Sequence, residues 1–318
     1  MNRGAAALWG LAVGDALGMP TQSLPRALIV ERHGPLVDGF HPGPPDHPLA
    51  AGLPAGTVTD DTEQAVLLGR LVVEGRGHVD AADLARRLVA WEDGMRARGS
   101  LDLLGPSTRR ALAALAEGVP PEESGREGTT NGAAMRIAPV GLAVASDDLD
   151  ALVDRVVEAS ALTHGTGVAL AGAAAVAAAV SAGIDGAGFA EAVPVAVEAA
   201  GRAAARGRWV AAADVGERIA WAVAQVPPER IGTLVGTSLA TQESVPAAFA
   251  VLAAAGGDPW LACRTAASLG GDTDTIAAMA GAVGGACGGE VPAEAVALVR
   301  RINDLDLDAL AAALVALR

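Results

Sequence analysis

The chain contains no lysine and no tyrosine, only two cysteines in 318 residues, and 3% aromatic residues. With arginine as its sole strongly basic residue and no basic patch interleaved with aromatics, it lacks the footprint of a nucleic-acid binder. The net charge of −14 repels nucleic acid and anionic membranes alike. Cys263 and Cys287 show neither zinc-type spacing nor a disulfide framework. Each lies in an Ala/Gly-rich stretch, where a free thiol behaves as a small buried hydrophobe. A reducing, cytoplasmic setting is expected. No apolar run reaches the roughly 20 residues that a membrane span requires. Val168 to Val180 is too short, and reads as a buried helix against close neighbours. Asp15 interrupts the N-terminal apolar run, and no clean signal-cleavage site follows it. A dinucleotide fingerprint, a P-loop and a nucleophile elbow are all absent, which removes three common enzyme classes.

Half of the chain is hydrophobic (51%), enough for a full core, and no linker composition or fixed-period repeat divides it. Residues 1–318 are expected to form a single all-α domain. Helical periodicity predicts helices over 4–17, 61–74, 81–98, 105–117, 133–144, 149–161, 166–182, 187–206, 209–224, 244–255, 258–268, 274–287 and 292–315. Two irregular stretches, 19–56 and 119–130, are rich in Pro and Gly and lead straight into the polar motifs.

Two short acidic clusters stand far apart in the chain. The first is Thr59-Asp60-Asp61-Thr62; the second is Gly270-Gly271-Asp272-Thr273-Asp274-Thr275. Each opens onto an apolar helical stretch. Carboxylate and hydroxyl oxygens are hard ligands of the kind Mg²⁺ or Mn²⁺ prefers. If folding joins the clusters, they supply enough oxygens for two ions, an arrangement that activates water and orients a polar substrate. The alternative for the first cluster is helix capping, with Asp60 and Glu63 as a capping box. Capping explains the second cluster less well, because one side chain suffices for it and a row of carboxylates repels itself without a cation.

Asn131-Gly132 follows a Gly/Thr-rich loop that contains Thr129 and Thr130. It would present free N–H groups to a phosphate, or simply cap a helix. His164 stands at a helix junction and reads equally as a structural histidine. Asp102, between Leu101 and Leu103, suits a general acid if burial raises its pKa, or the N-cap of the next helix.

Together these residues resemble the ADP-ribosylglycohydrolase family nearly end to end. The landmarks are Gly10 to Gly18 (GLAVGDALG), Thr59 to Glu63 (TDDTE), Asn131 to Arg136 (NGAAMR), Thr163-His164 and Gly270 to Thr275 (GGDTDT). The resemblance implies a compact orthogonal bundle of helices holding two Mg²⁺ or Mn²⁺ ions on Thr59, Asp60, Asp61, Asp272, Asp274 and Thr275. It implies catalytic roles for Asp102 and Asp61, and a diphosphate cradle at Thr129, Thr130, Asn131, Gly132 and Met135. His164 would position an ADP-ribose carried on a protein side chain or a small molecule. Two positions depart from the family pattern. Gln22 stands where many members carry a glutamate near the metals, and an amide cannot take a proton at neutral pH. Thr130 replaces the first glycine of the usual Gly-Asn-Gly. Three activities remain open on this reading: a hydrolase of ADP-ribosyl linkages, a hydrolase of simpler ribosides, and a silent ADP-ribose binder.

Overall fold

The first helix, α1 (Arg3–Gly18), starts where the Asn2 side chain accepts a hydrogen bond from the Ala5 amide at 2.8 Å. In the computed structural model, which describes residues 1–100 and 104–318, it is followed by α2 (Arg26–His33), α3 (Asp60–Glu74), α4 (Ala81–Ala97), α5 (Pro106–Ala116), α6 (Pro121–Ser124), α7 (Gly132–Arg136), α8 (Ala138–Ala143) and α9 (Leu149–His164). The second half adds α10 (Gly167–Ile184), α11 (Phe189–Ala204), α12 (Val215–Gln225), α13 (Thr241–Ala254), α14 (Pro259–Ala267), α15 (Thr273–Ala286), α16 (Ala293–Asn303) and α17 (Leu307–Val315). Among the described residues there is no β-strand, only three isolated bridges. The fold is all-α, as the periodicity predicts.

The axis of the molecule is α10, capped by Thr166 and buried on nearly every side. It is long and apolar enough to cross a membrane by composition, but 89% of it is buried inside the protein, against α8, α9, α11 and α15. That agrees with the core-helix reading of Val168 to Val180. Beside it, α1 and α15 run in closer contact than ordinary side chains permit. A Cβ on Gly10 would stand 2.1 Å from the Gly281 carbonyl oxygen. One on Gly14 would lie 2.2 Å from that of Ala277, and one on Gly18 2.3 Å from the Asp274 Cα. Glycines four apart line one helical face, so the backbones of the two helices touch along a seam.

Three expectations are corrected. The stretch 133–144 is two short helices that meet at Ile137, because Pro139 has no N–H and its ring collides with the preceding turn. The stretch 292–315 breaks at Asp304, which is left-handed (φ 52°), and Asp306 caps a new helix by accepting from the Ala309 amide. The helix expected from 209 begins only at Val215, where Asp214 caps it. A 3₁₀ turn (Pro228–Arg230) and a π turn (Ile231–Val235) fill a segment given no element by the sequence.

Candidate active site

The loops before α3 and α15 meet at the C-terminal end of α1. Thr59 caps α3, its hydroxyl accepting weakly from the Asp61 amide at 3.5 Å. Asp60 is therefore not the cap. Its carboxylate accepts instead from Gln64 Nε2 at 2.8 Å, and Glu63 turns away to Trp91 and Arg98, so no capping box forms. At the other cluster, Gly270 and Gly271 both adopt positive φ (85° and 81°), a backbone path that L side chains resist. Asp272 stands at the N-cap of α15 yet makes no capping bond there. Capping thus leaves most of these carboxylates unexplained.

The clusters converge. The Thr275 hydroxyl donates to Asp61 Oδ2 at 3.2 Å, and the Thr59 hydroxyl lies 3.3 Å from the same oxygen. The remaining oxygen of Asp61, Oδ1, is buried with no hydrogen-bond partner among the described residues. Burial first, then the charges of Asp60, Asp15 and Asp272, push the Asp61 carboxyl well above the usual carboxylate range. Burial pushes Asp272 up to about 6, opposed by hydrogen bonds from Asn131 and Thr275. Repelling carboxylates around an orphaned oxygen form an environment that a divalent cation relieves. Among the described residues no three His, Cys, Asp or Glu side chains hold an ion by themselves. The donor set that fits a cation here is therefore mixed, with threonine hydroxyls alongside carboxylates.

Asp15 is a site residue that the motif reading left without a role. It is fully buried and accepts from the amides and hydroxyls of both Thr59 and Thr62. Burial pushes its carboxyl up to about 6 against those bonds. It fixes the first turn of α3, and with it Asp60 and Asp61. Its signal was present: an acid inside an apolar helix needs buried partners.

A cleft of about 300 Å³ opens over this centre, lined by the acidic group Gln22, Asp60, Asp272, Asp274 and Thr275 and by the loop residues Thr130, Asn131, Gly132 and Met135, the two sets meeting where Asn131 donates to Asp272. Gln22 thus faces the same space as the acidic residues. Its backbone oxygen accepts from His47 Nε2, and the neighbouring Leu24 bridges to Gly271. Asn131 occupies the N-cap of α7 without capping it; its amide donates to Asp272 and to Ser244 Oγ. Thr129 and His164 do not line the cleft. The Thr129 carbonyl accepts from Thr241, while His164 is fully buried behind Thr130, with Nε2 3.1 Å from the Thr130 hydroxyl. Gly132 rests on that imidazole, and a Cβ there would stand 3.0 Å from Cε1. Arg109, Leu104 and Thr108 also line the cleft, with no prior signal in the sequence. Asp102 lies outside the described residues, and the N-cap of α5 is Gly105.

The sequence pattern of the ADP-ribosylglycohydrolase family matches residues 1–318. This chain belongs to the ADP-ribosylglycohydrolase family. The family is one of glycohydrolases, enzymes that hydrolyse glycosyl bonds. Among curated relatives, the Escherichia coli K12 protein YegU is 35% identical over 97% of this chain and 95% of its own. The ADP-ribosyl-[dinitrogen reductase] glycohydrolase of Rhodospirillum rubrum is 30% identical over 51% of each chain. A solved ADP-ribosylglycohydrolase-related protein complex contains a chain that superposes with a TM-score of 0.67 at 27% identity, over 99% of this chain and 98% of that one. Within this ADP-ribosylglycohydrolase fold, the cleft takes its lining from three of the landmark motifs, those of Asp60, Asn131 and Asp272, while Asp15 and His164 lie buried beside it.

Proposed function

We propose that this family member is a divalent-cation-dependent hydrolase that cleaves the ribosyl glycosidic bond of an ADP-ribosylated side chain or a small ADP-ribose derivative. The observation that supports this most is the meeting of the two acidic clusters at Asp61, whose Oδ2 accepts from Thr275 and whose Oδ1 has no hydrogen-bond partner among the described residues. Thr59, Asp60, Asp61, Asp272, Asp274 and Thr275 would hold two Mg²⁺ or Mn²⁺ ions. When bound, such ions supply Lewis-acid charge that polarises water and holds sugar hydroxyls. The chain's own residues do the rest. Asp15 and Asn131 hold the ligand carboxylates and hydroxyls in place from behind. Thr130 and Gly132 shape the loop wall of the cleft, where a diphosphate would lie, and Asp102 would move the proton to or from the leaving group. The test is direct assay of ADP-ribosyl-arginine, ADP-ribosyl-serine, O-acetyl-ADP-ribose and plain nucleosides with Mg²⁺ or Mn²⁺ and with chelator. Turnover of an ADP-ribosyl substrate that chelator abolishes supports the reading. Turnover of nucleosides alone moves the substrate class to simple ribosides.

One feature favours a second reading, that of a silent ADP-ribose binder. Gln22 brings an amide to the cleft that Asp60, Asp272 and Asp274 line, where a carboxylate would serve as a base. Gln22→Glu is expected to raise kcat by about tenfold or more with little change in KM, as a base that acts only in the transition state does. Steady-state kinetics of the two proteins check this. If wild type binds ADP-ribose and turns over nothing, while Gln22→Glu gains activity, the silent reading holds.

Protons and cations should compete for this centre. Asp15 and Asp272 carry folded-state pKa values of about 6, above the usual carboxylate value. Without cation, the stability they contribute is complete below about pH 4 and is lost as pH rises through about 6, where they ionise in place. A cation should restore it above that window. The melting-temperature rise caused by Mn²⁺ is therefore expected to be large at pH 7.5 and to fade below pH 6, as thermal denaturation with and without chelator would show.

A further inference from the structure

Arg136 is fully buried (1% exposed), close to the acidic centre, and among the described residues it is not paired directly with a carboxylate. Burial lowers its pKa to about 10, while Asp60 opposes that drop. Two hydrogen-bonded arms leave it. On one side Nη1 donates to Gln64 Oε1 at 3.3 Å, and Gln64 Nε2 donates to Asp60 Oδ2 at 2.8 Å. On the other, Nη2 donates to Thr163 Oγ1 at 2.7 Å, and Thr163 Oγ1 lies 2.7 Å from His164 Nδ1. His164 Nε2 is 3.1 Å from Thr130 Oγ1, which donates to Ser107 Oγ at 2.9 Å.

The guanidinium has donors and no acceptor, so it donates into both arms. Thr163 accepts from Arg136, and its own proton has two acceptors in reach, His164 Nδ1 at 2.7 Å and the Ser160 carbonyl at 3.4 Å, of which the imidazole nitrogen is nearer; the Thr130 hydroxyl donates to Ser107, which leaves it to accept from His164. Burial, with the nearby Arg136 charge, holds His164 neutral. Its single N–H is then on Nε2 and points to Thr130, whose proton passes on to Ser107. Both arms run outward from one fixed cation. One ends on the Asp60 carboxylate; the other ends at the Thr130 loop, and both residues line the cleft. Aligned bonds of this kind polarise one another in a low-dielectric interior.

We propose that Arg136 is a positioning residue that couples Asp60 to the Thr130 loop from behind the cleft, so that neutralising Asp60 with a cation stiffens that loop through Gln64, Thr163 and His164. This rests on the cation site of the proposed function. A separate, shorter contact from Asn131 to Asp272 runs along the cleft wall and bypasses this path.

The Thr130 amide, which donates to Ser107 Oγ at 3.4 Å, reports on the far end of the path. Mn²⁺ alone is expected to slow its hydrogen exchange by about fivefold or more in wild type, a typical coupling between sites. Thr163→Val should lose that protection while keeping Mn²⁺ affinity within about threefold, as measured by calorimetry, and Thr163→Ser should restore it. Nitrogen-15 spectra of wild type should show His164 neutral and protonated on Nε2, a readout that needs no variant to fold. Protection that survives in Thr163→Val, or a proton on Nδ1, overturns the coupling. A wild type that takes up Mn²⁺ and leaves the loop unprotected also overturns it, and leaves the functional reading standing. A wild type that takes up no Mn²⁺ sinks both.

Discussion

Asp61→Asn is expected to abolish turnover, to lower Mn²⁺ affinity by about a hundredfold or more, and yet to raise the melting temperature of the cation-free protein. The first two effects follow from removing a ligand carboxylate. Loss of groups behind such ligands already costs about 10–100-fold. The third follows from what Asp61 endures without a cation: full burial, three neighbouring carboxylates and an oxygen with no partner among the described residues. An amide of the same shape carries no charge to repel, so the cation-free protein gains stability. Asp272→Ala should share the loss of affinity. It also removes one of the two acceptors of the Asn131 amide, leaving Ser244 as the other, so its gain in stability is smaller. Calorimetric titration with Mn²⁺, alongside melting curves in chelator, separates these outcomes. Undiminished Mn²⁺ binding in both variants would remove the acidic centre from the mechanism.

Gly14→Ala is expected to destabilise the protein by about 3 kcal/mol or more, the upper range for overpacking a core. The new methyl would stand 2.2 Å from a backbone carbonyl oxygen, and backbone cannot swing aside as a side chain can. Relief requires α1 and α15 to part, which also pulls Gly18 away from Asp274. The variant should therefore lose Mn²⁺ affinity as well as stability, although position 14 touches no ligand of the proposed centre. Gly201→Ala, at a helical glycine where a Cβ meets nothing within 4 Å, is the matched control and should be neutral or slightly stabilising. Urea denaturation of the two proteins checks the difference.

The helices and the two acidic clusters were legible because both depend on local patterns. Periodicity marks a helix within a few turns, and Thr59 to Thr62 and Gly270 to Thr275 carry more carboxylate than capping needs. The breaks at Ile137 and Asp304 were not legible from periodicity, since the apolar spacing runs through them; Pro139 was the one local signal. Gln64 and Arg136 escaped because each reads as an ordinary helical position, and Asp15, though conspicuous in an apolar helix, gave no sign of which residues it holds; the partners of all three arrive from elsewhere in the chain or across a helical turn. His164 was found by resemblance, but its place behind the cleft, with its ring against Gly132, depends on packing that no local pattern encodes.

The pairing of α1 with α15, and the grip of Asn303 on the Gly56 carbonyl and Val58 amide, carry a consequence for biosynthesis. Helix α1 waits for a partner some 260 residues downstream, and the turn that bears Thr59 waits for one still later. During translation the nascent chain therefore holds an apolar α1 with no seam to close on, and the cleft takes shape only after α15 and α16 have been made.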